Sequence, residues 1–263
     1  SAMGLLPFLG LGLISLGMLA LFLDLENKLH VYRFYLAFEP TSPMSWGAWI
    51  LVLVYPLGLA LGLSSLSEAH RAFVRERIPL GGRLDGIIAA LERWRRPLLW
   101  ATAAVGSGLG LYTGLLLGTM VARPQWNSAV LGPLFLCSGL STGAALMLLF
   151  RLEPREHDAL VRIDTWAITA ELALIALLFL GYATGGEAGK HALYHVAGGP
   201  WTSAFWSLVV MGGLLVPLVM ELFGRRKHLA FGALAPILVL IGGLALRFVL
   251  LSAGQASNYR EFF

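Results

Sequence analysis

The chain has 263 residues, of which 57% are hydrophobic and only 13% are charged, whereas soluble globular domains average about 25% charged residues. Together with a mean hydropathy of +0.75, this excludes a water-soluble single domain, a disordered chain and a secreted disulfide scaffold, because water could not cover so much apolar surface. The single cysteine, Cys137, excludes an internal disulfide, a cysteine-ligated iron–sulfur cluster and a thiolate zinc site. The net charge of +4 therefore has to be interpreted through the distribution of Lys and Arg along a membrane protein, and no nucleic-acid partner is predicted.

Apolar runs long enough to cross a bilayer, which takes about 20 residues, occur seven times along the chain. They predict an all-α, polytopic transmembrane helix bundle that forms a single transmembrane domain over 1–263. The first run lacks the basic segment that precedes a signal sequence, so it is predicted to be a span. The predicted spans are 3–24, 45–66, 97–121, 128–150, 163–184, 202–223 and 230–252.

Lys and Arg residues are distributed unequally between the segments that connect these spans. Segments 67–96, 151–162 and 224–229 hold thirteen of them, whereas the opposite segments and the C-terminal tail hold five. Because positively charged loops stay in the cytoplasm, the N-terminus and these three segments are predicted to be cytoplasmic. The segments predicted to face outward are 25–44, 122–127, 185–201 and the C-terminal tail.

Two of the outward segments mix aromatic side chains with cations. This composition, in 28–38 and in 187–201, is typical of short helices that lie at the level of the lipid headgroups. Tryptophans at the predicted outer boundaries are consistent with an aromatic belt. They are Trp46, Trp49, Trp126 and Trp201.

Glycines spaced four residues apart in the third span predict a smooth ridge for close helix packing. They are Gly106, Gly110, Gly114 and Gly118. Tyr112 is predicted to point away from this ridge and to lie in the outer half of the bilayer.

Ionisable side chains inside spans are costly to bury, so each one is a hypothesis for function. Asp164 and Glu171 are seven residues apart and are predicted to share one face of the fifth span. Glu221 is predicted near the cytoplasmic end of the sixth span, within reach of water, and Arg247 about one turn inside the outer end of the seventh. Two interpretations stay open: a structural hydrogen-bonded set, or a route for protons between the cytoplasm and the bilayer centre.

All six histidines fall outside the predicted spans, which argues against haem ligated between helices as in a b-type cytochrome. His191 and His195 could share a helix face as metal ligands, but no third ligand accompanies them, so an interfacial helix is favoured and no metal site is predicted. The sequence contains neither a GxxxxGK[ST] phosphate loop nor a GxSxG nucleophile motif. No catalytic residue is therefore predicted in this chain.

Four stretches of the sequence carry a resemblance to a known family. They are Asp24-Leu25 with Phe38 to Trp49, Tyr112-Thr113-Gly114 with Arg123-Pro124-Gln125-Trp126-Asn127, Arg162-Ile163-Asp164 with Glu171, and Leu246-Arg247-Phe248 with Ala253-Gly254-Gln255. In this order they resemble the NrfD/PsrC family, the quinone-interacting membrane subunits of polysulfide reductase and related complexes. The stretch SPMSWGAW, residues 42–49, is the most specific of them.

This resemblance implies a haem-free anchor in the bacterial inner membrane that uses menaquinone or another quinone. It also implies a ferredoxin-like four-cluster iron–sulfur subunit as partner, which would contact a molybdopterin catalytic subunit. By resemblance, Tyr112 matches a tyrosine that hydrogen-bonds the quinone oxygen, and Arg123 and Asn127 lie near the rim of that pocket. The loop from Asp24 through Trp46 to Trp49 would help to form the docking surface.

The family usually has an additional N-terminal span that contributes His and Asn to the quinone pocket. This sequence, which starts Ser1-Ala2-Met3-Gly4, matches from the family's second span onward. Two alternatives therefore stay open beside a quinone-site subunit. One is a structural anchor without its own quinone site. The other is a proton-coupled transporter, although no internal repeat or pair of broken helices favours it.

Overall fold

The computed structural model describes residues 2–36, 38–77, 81–227 and 232–257. All regular elements within these residues are helices. The α-helices are α1 (Leu6–Asp24), α2 (Arg33–Leu36), α3 (Pro43–Ser64), α4 (Glu68–Arg77), α5 (Gly81–Arg93), α6 (Arg95–Gly118), α7 (Leu131–Leu148), α8 (Pro154–Thr184), α9 (Gly186–Ala197), α10 (Thr202–Ala204), α11 (Val216–Lys227) and α12 (Leu234–Ala256). Two 3₁₀ turns, Ala2–Leu5 and Lys28–His30, and a π-helix, Phe205–Leu215, complete the set.

Among the described residues, seven helices are long and apolar enough to cross a membrane, which confirms the predicted number of spans and the all-α class. Six are α1, α3, α6, α7, α8 and α12. The seventh, Thr202–Phe223, is continuous through α10, the π-helix and the first part of α11. The chain is therefore a multi-pass membrane protein.

The helix boundaries differ most from the prediction at α8, which begins at Pro154 instead of residue 163. A reciprocal capping arrangement sets this start: the Glu153 N–H donates to Glu156 Oε2 over 3.1 Å, and Pro154 occupies the first turn. The cap stabilises helix in polar residues that hydropathy alone leaves in a loop. As a result, His157 lies in the first turn of a long helix. His228 and the C-terminal tail from residue 258 lie outside the described residues, as do residues 228–231 of the predicted segment 224–229 and seventh span.

Both outer segments predicted to be helical contain helix. Segment 28–38 forms the 3₁₀ turn Lys28–His30 and the short α2, and segment 187–201 contains most of α9. Their position at the headgroup level stays a prediction.

Contacts divide the chain into two compact units, Ser1–Leu109 and Gly110–Phe263. In the first unit α1 packs on α3, where the hydroxyls of Ser15 and Tyr55 are 3.0 Å apart. The helix α5, which carries the buried Ile88, also packs on α3. Arg71 of α4 forms an ion pair with Glu92 of α5, and this hydrogen bond raises the pKa of Arg71.

The second unit is built on α7, α8, α12 and the π-helix. Large apolar side chains fill its centre, including Leu131, Leu134, Ile168, Leu246 and Leu250. The π-helix and α12 approach closely where Gly213 meets the backbone of Gly242. Small residues permit such contact, which is how helices gain packing energy in a membrane.

The predicted glycine ridge is used over part of its length. Gly114 lies against the backbone of Leu131 and Gly110 against Leu136, whereas nothing lies within 4 Å of a Cβ built on Gly106. Gly110 and Gly114, the second and third glycines of the ridge, therefore pack against α7.

Gly114→Ala is expected to destabilise the protein by about 1–3 kcal/mol, because its Cβ would collide with backbone atoms that no rotamer change can move. Gly106→Ala, on the same helix, introduces the same methyl group into open space and is expected to leave stability unchanged or slightly raised. Thermal unfolding of both variants in detergent measures the difference. Equal midpoints for the two variants would contradict the packing of Gly114.

Candidate functional site

A pocket of about 660 Å³ lies in the first unit, where the segment after α1 turns back to α3. Its polar lining combines carboxyl groups with cationic or neutral donors. It is lined by Asp24, Leu25, Glu26, Asn27, His30, Arg33, Glu39, Ser42, Met44 and Ser45. The volume lies within the range of small-molecule sites, about 300–1,000 Å³.

The 42–49 stretch fixes the wall of this pocket at the start of α3. Ser45 is buried and its Oγ accepts the Glu39 N–H over 3.1 Å, which satisfies a loop donor. The indole N–H of Trp46 donates to the Pro40 carbonyl over 2.8 Å, while the Trp46 ring is 55% exposed. Asp24 thus lines the pocket, whereas Trp46 holds the loop that forms it and is itself exposed.

In the second unit, hydrogen bonds join the turn Arg123–Asn127 to the end of α12. A guanidinium nitrogen of Arg123, Nη1, donates to the carbonyls of Gln255 and Ser257, the latter over 3.0 Å. The Trp126 Nε1–H donates to the Leu250 carbonyl over 2.9 Å. The Arg123 side chain therefore positions this turn.

A second contact to the same turn comes from α8. The hydroxyl of Tyr182, a buried side chain near the end of that helix, donates to the Gln125 carbonyl. Sequence reasoning missed Tyr182 because no local pattern reveals a contact 57 residues away. Of the predicted quinone residues in this unit, Asn127 is exposed and Tyr112 is half-buried on α6.

Buried carboxyl groups form the first part of a polar set in the centre of the second unit. Ser141 Oγ of α7 donates to Asp164 Oδ1 over 2.6 Å, and Thr165 Oγ1 donates to Glu221 Oε2 over 2.8 Å. The carboxyl groups of Asp164 and Glu221 also lie near each other.

The second part of the set surrounds Ser138 of α7. Its hydroxyl hydrogen-bonds the Glu171 carboxyl and accepts from Arg247 Nη1 over 3.2 Å. Arg247 Nη1 also donates to the Gly243 carbonyl over 2.8 Å. Glu171 is 2% exposed and Arg247 is half-buried, and the hydroxyl of Ser138 lies between the two groups.

The two parts of this polar set lie at successive levels along α7 and α8. Asp164 and Glu171 lie two turns apart on α8, while Ser141 and Ser138 lie one turn apart on α7, which packs against α8. We refer to Asp164, Glu171, Glu221 and Arg247 with their serine and threonine partners as the polar ladder. The structure thus places the four residues predicted for a proton route in two clusters, Asp164 with Glu221 and Glu171 with Arg247, two turns apart along α8.

Two positions in the polar ladder differ from the prediction. Glu221 is 7% exposed rather than in reach of water, because α11 continues to Lys227 and places Glu221 beside α8. Arg247 lies nine residues before the end of α12, since that helix continues to Ala256. Both groups are therefore deeper than their distance from the ends of the apolar runs indicates.

His191 and His195 share a face of α9, as their spacing predicts, with ring centroids 4.8 Å apart. His195 is buried and also packs against Tyr194. The pair thus contributes ring packing to the short helix after α8.

Seven membrane-crossing helices with a buried ladder of ionisable groups define a polytopic membrane protein with internal polar chemistry. Residues 5–257 match the family model described as "Polysulphide reductase, NrfD". The chain therefore belongs to the NrfD family, which confirms the resemblance seen in the sequence.

Similar proteins come from bacteria and archaea. The chain is 31% identical over 256 residues to Protein NrfD of Escherichia coli (strain K12), covering 94% of this chain and 80% of that protein. It is 31% identical over 255 residues to the C subunit of polysulfide reductase from Wolinella succinogenes, covering 92% and 78%. It is 26% identical over 254 residues to the Hdr-like menaquinol oxidoreductase integral membrane subunit of Archaeoglobus fulgidus, covering 92% and 59%. The protein is thus a polysulfide reductase-type membrane subunit of respiratory oxidoreductase complexes.

Proposed function

We propose that this protein is the quinone-interacting subunit of its complex and exchanges electrons between the menaquinone pool and a peripheral iron–sulfur subunit. The observation that carries the proposal is membership of the NrfD family, with a relative named as a menaquinol oxidoreductase membrane subunit. With one cysteine, the chain has too few thiolates to hold an iron–sulfur cluster of its own. Electrons must therefore pass to a partner, for which a ferredoxin-like four-cluster subunit and a molybdopterin catalytic subunit are proposed.

Each of the two units holds candidate quinone contacts of its own. In the first unit, the pocket beside Asp24 has the size for a quinone head group, and its carboxyl groups can accept protons. The exposed ring of Trp46 adds an aromatic surface there. A quinol supplies two electrons and two protons when it is oxidised, so proton acceptors near the ring are required.

In the second unit, the half-buried phenol of Tyr112 can donate a hydrogen bond to a quinone carbonyl and orient the ring. Asn127 presents its side chain at the surface of the turn that Arg123 fastens to α12. In this proposal Arg123 acts by positioning, because its guanidinium is already committed to two carbonyls.

The polar ladder is proposed to move protons within the second unit. In this proposal the neighbouring carboxyl groups of Asp164 and Glu221 share a proton that can be passed on, and Glu171 is the next carboxyl group along α8. Arg247 stabilises a negative charge on Glu171 in the dry core. The unequal distribution of Lys and Arg supports a bacterial inner membrane topology with the N-terminus in the cytoplasm and the C-terminus outside.

Tyr112→Phe tests the quinone proposal. We expect turnover with a menaquinol analogue to fall about tenfold, which corresponds to the loss of one hydrogen bond, while the iron–sulfur subunit still co-purifies. Tyr194→Phe, at an exposed position on α9, is the matched control and should keep full activity.

Full activity of Tyr112→Phe would remove Tyr112 from the site. Partner binding without any quinol turnover by the unmodified complex would favour a structural anchor. Solute uptake by proteoliposomes that contain only this protein would favour a transporter.

A further inference from the structure

A groove of about 540 Å³ runs along the outside of the second unit between α7 and α8. It is apolar except at Arg162. Its lining is Cys137 and Leu140 from α7, and Ala159, Arg162, Ile163, Trp166, Ala167 and Ala170 from α8. None of these residues belongs to the polar ladder, so the groove is a separate feature of the same helix pair.

The groove is as long as one leaflet of a bilayer. Ala159 and Ala170 are eleven residues apart on α8, which is about 16 Å at 1.5 Å per residue. The hydrocarbon core of a membrane is about 30 Å thick, so the groove spans roughly half of it. Its small alanine side chains leave space for a row of methylene groups.

The groove is positively charged toward one end and apolar along the rest, just as a phospholipid is charged at its headgroup and apolar along its tails. Arg162 lies toward the start of α8, and Arg155 lies two turns earlier on the same face. Within residues 81–227 and the other described ranges, neither guanidinium is engaged in a hydrogen bond or ion pair. Trp166 is 75% exposed one turn further along, and tryptophan favours the boundary between headgroups and hydrocarbon.

We propose that this groove binds one anionic phospholipid, with an acyl tail along Ala167 and Ala170 and the phosphate at Arg162, supported by Arg155. Guanidinium and phosphate form charge-assisted, bidentate hydrogen bonds. A helix of a partner subunit would cross the whole bilayer and would need a matching face twice as long. Positive charge at one end and a length of one leaflet therefore favour a lipid.

The protein carries its own reporter of occupancy, because its single cysteine, Cys137, lines the groove. The purified complex in detergent is titrated with phosphatidylglycerol or phosphatidylcholine, and the rate of Cys137 labelling by a hydrophobic maleimide is measured. We expect phosphatidylglycerol to slow labelling at a lower concentration than phosphatidylcholine. In Arg162→Gln the phosphatidylglycerol concentration for half-protection should rise about fivefold, as expected for one basic side chain near an anionic headgroup.

Two further variants complete the test. Lys190→Gln removes an exposed cation on α9, far from the groove in sequence, and should leave both titrations unchanged. Ala170→Leu should slow labelling without added lipid and abolish the effect of phosphatidylglycerol.

Equal protection by the two lipids, or an unchanged titration in Arg162→Gln, would overturn the proposal. Protection of Cys137 by the partner subunits alone, with no dependence on lipid, would assign the groove to a protein contact and overturn it as well. The readout does not involve quinol turnover, so the lipid proposal and the quinone proposal can fail independently.

Discussion

Arg247→Leu is expected to destabilise the protein by about 1–3 kcal/mol, the cost of leaving buried polar groups without their donor. The variant removes the cation that faces Glu171 through Ser138, and Glu171 is 2% exposed. It also removes the donor to the Gly243 carbonyl. Because leucine is apolar and fits a membrane helix, the loss would come from the unpaired polar groups and not from poor helix formation.

A double-mutant cycle with Glu171 separates this effect from a loss of packing. Glu171→Leu together with Arg247→Leu removes both ionisable groups, and exchange of interacting buried polar groups for apolar residues is often close to neutral. We therefore expect the double variant to recover most of the lost thermal stability in detergent. If Arg247→Leu alone has a midpoint equal to that of the unmodified protein, the two groups are not coupled.

Glu171→Gln is expected to lower quinol-dependent turnover about a hundredfold, the lower end of the contribution of a group that transfers protons. Glutamine keeps the size of the side chain and can still hydrogen-bond Ser138, so the folded structure should persist. It cannot take up or release a proton at neutral pH. Loss of turnover with an unchanged thermal midpoint would thus identify a chemical role, which a purely structural carboxyl group would not show.

Proton uptake and turnover are measured together in proteoliposomes that contain the whole complex. Glu187→Gln is the control, because Glu187 is an exposed carboxyl group outside the membrane-spanning helices. The hydrogen bond from Lys190 lowers the pKa of Glu187, so this group stays ionised around neutral pH. Normal turnover in Glu171→Gln would show that protons take a path that does not include Glu171.

The number and order of the membrane helices could be predicted because hydropathy is a local property of the sequence. Each apolar run must satisfy its backbone internally, and a helix is the solution open to a single segment. Helix ends were less predictable. The start of α8 depends on the cap at Glu153 and Glu156, a signal of side-chain chemistry that hydropathy ignores.

The ionisable residues of the polar ladder could be predicted, but their hydrogen-bond partners could not. Charged residues inside apolar runs are conspicuous, so Asp164 and Glu171 stand out from the sequence alone. That Ser141 and Thr165 supply their hydrogen bonds, and that Asp164 meets Glu221, depends on how distant helices pack. The hydrogen bonds of Arg123 could not be predicted either, because its acceptors, Gln255 and Ser257, lie more than a hundred positions away in the sequence.

The π-helix at Phe205–Leu215 sets the helical phase of the sixth span. Its backbone bonds reach five residues instead of four, so each residue advances by a smaller angle than the 100° or so of an α-helix. Over eleven residues the offset accumulates, and everything after Leu215 faces a direction that an unbroken α-helix would not give it. Glu221 meets Thr165 and Asp164 on that shifted face. The direction in which the Glu221 carboxyl group points is thus set by the π-helical geometry of residues more than one turn before it.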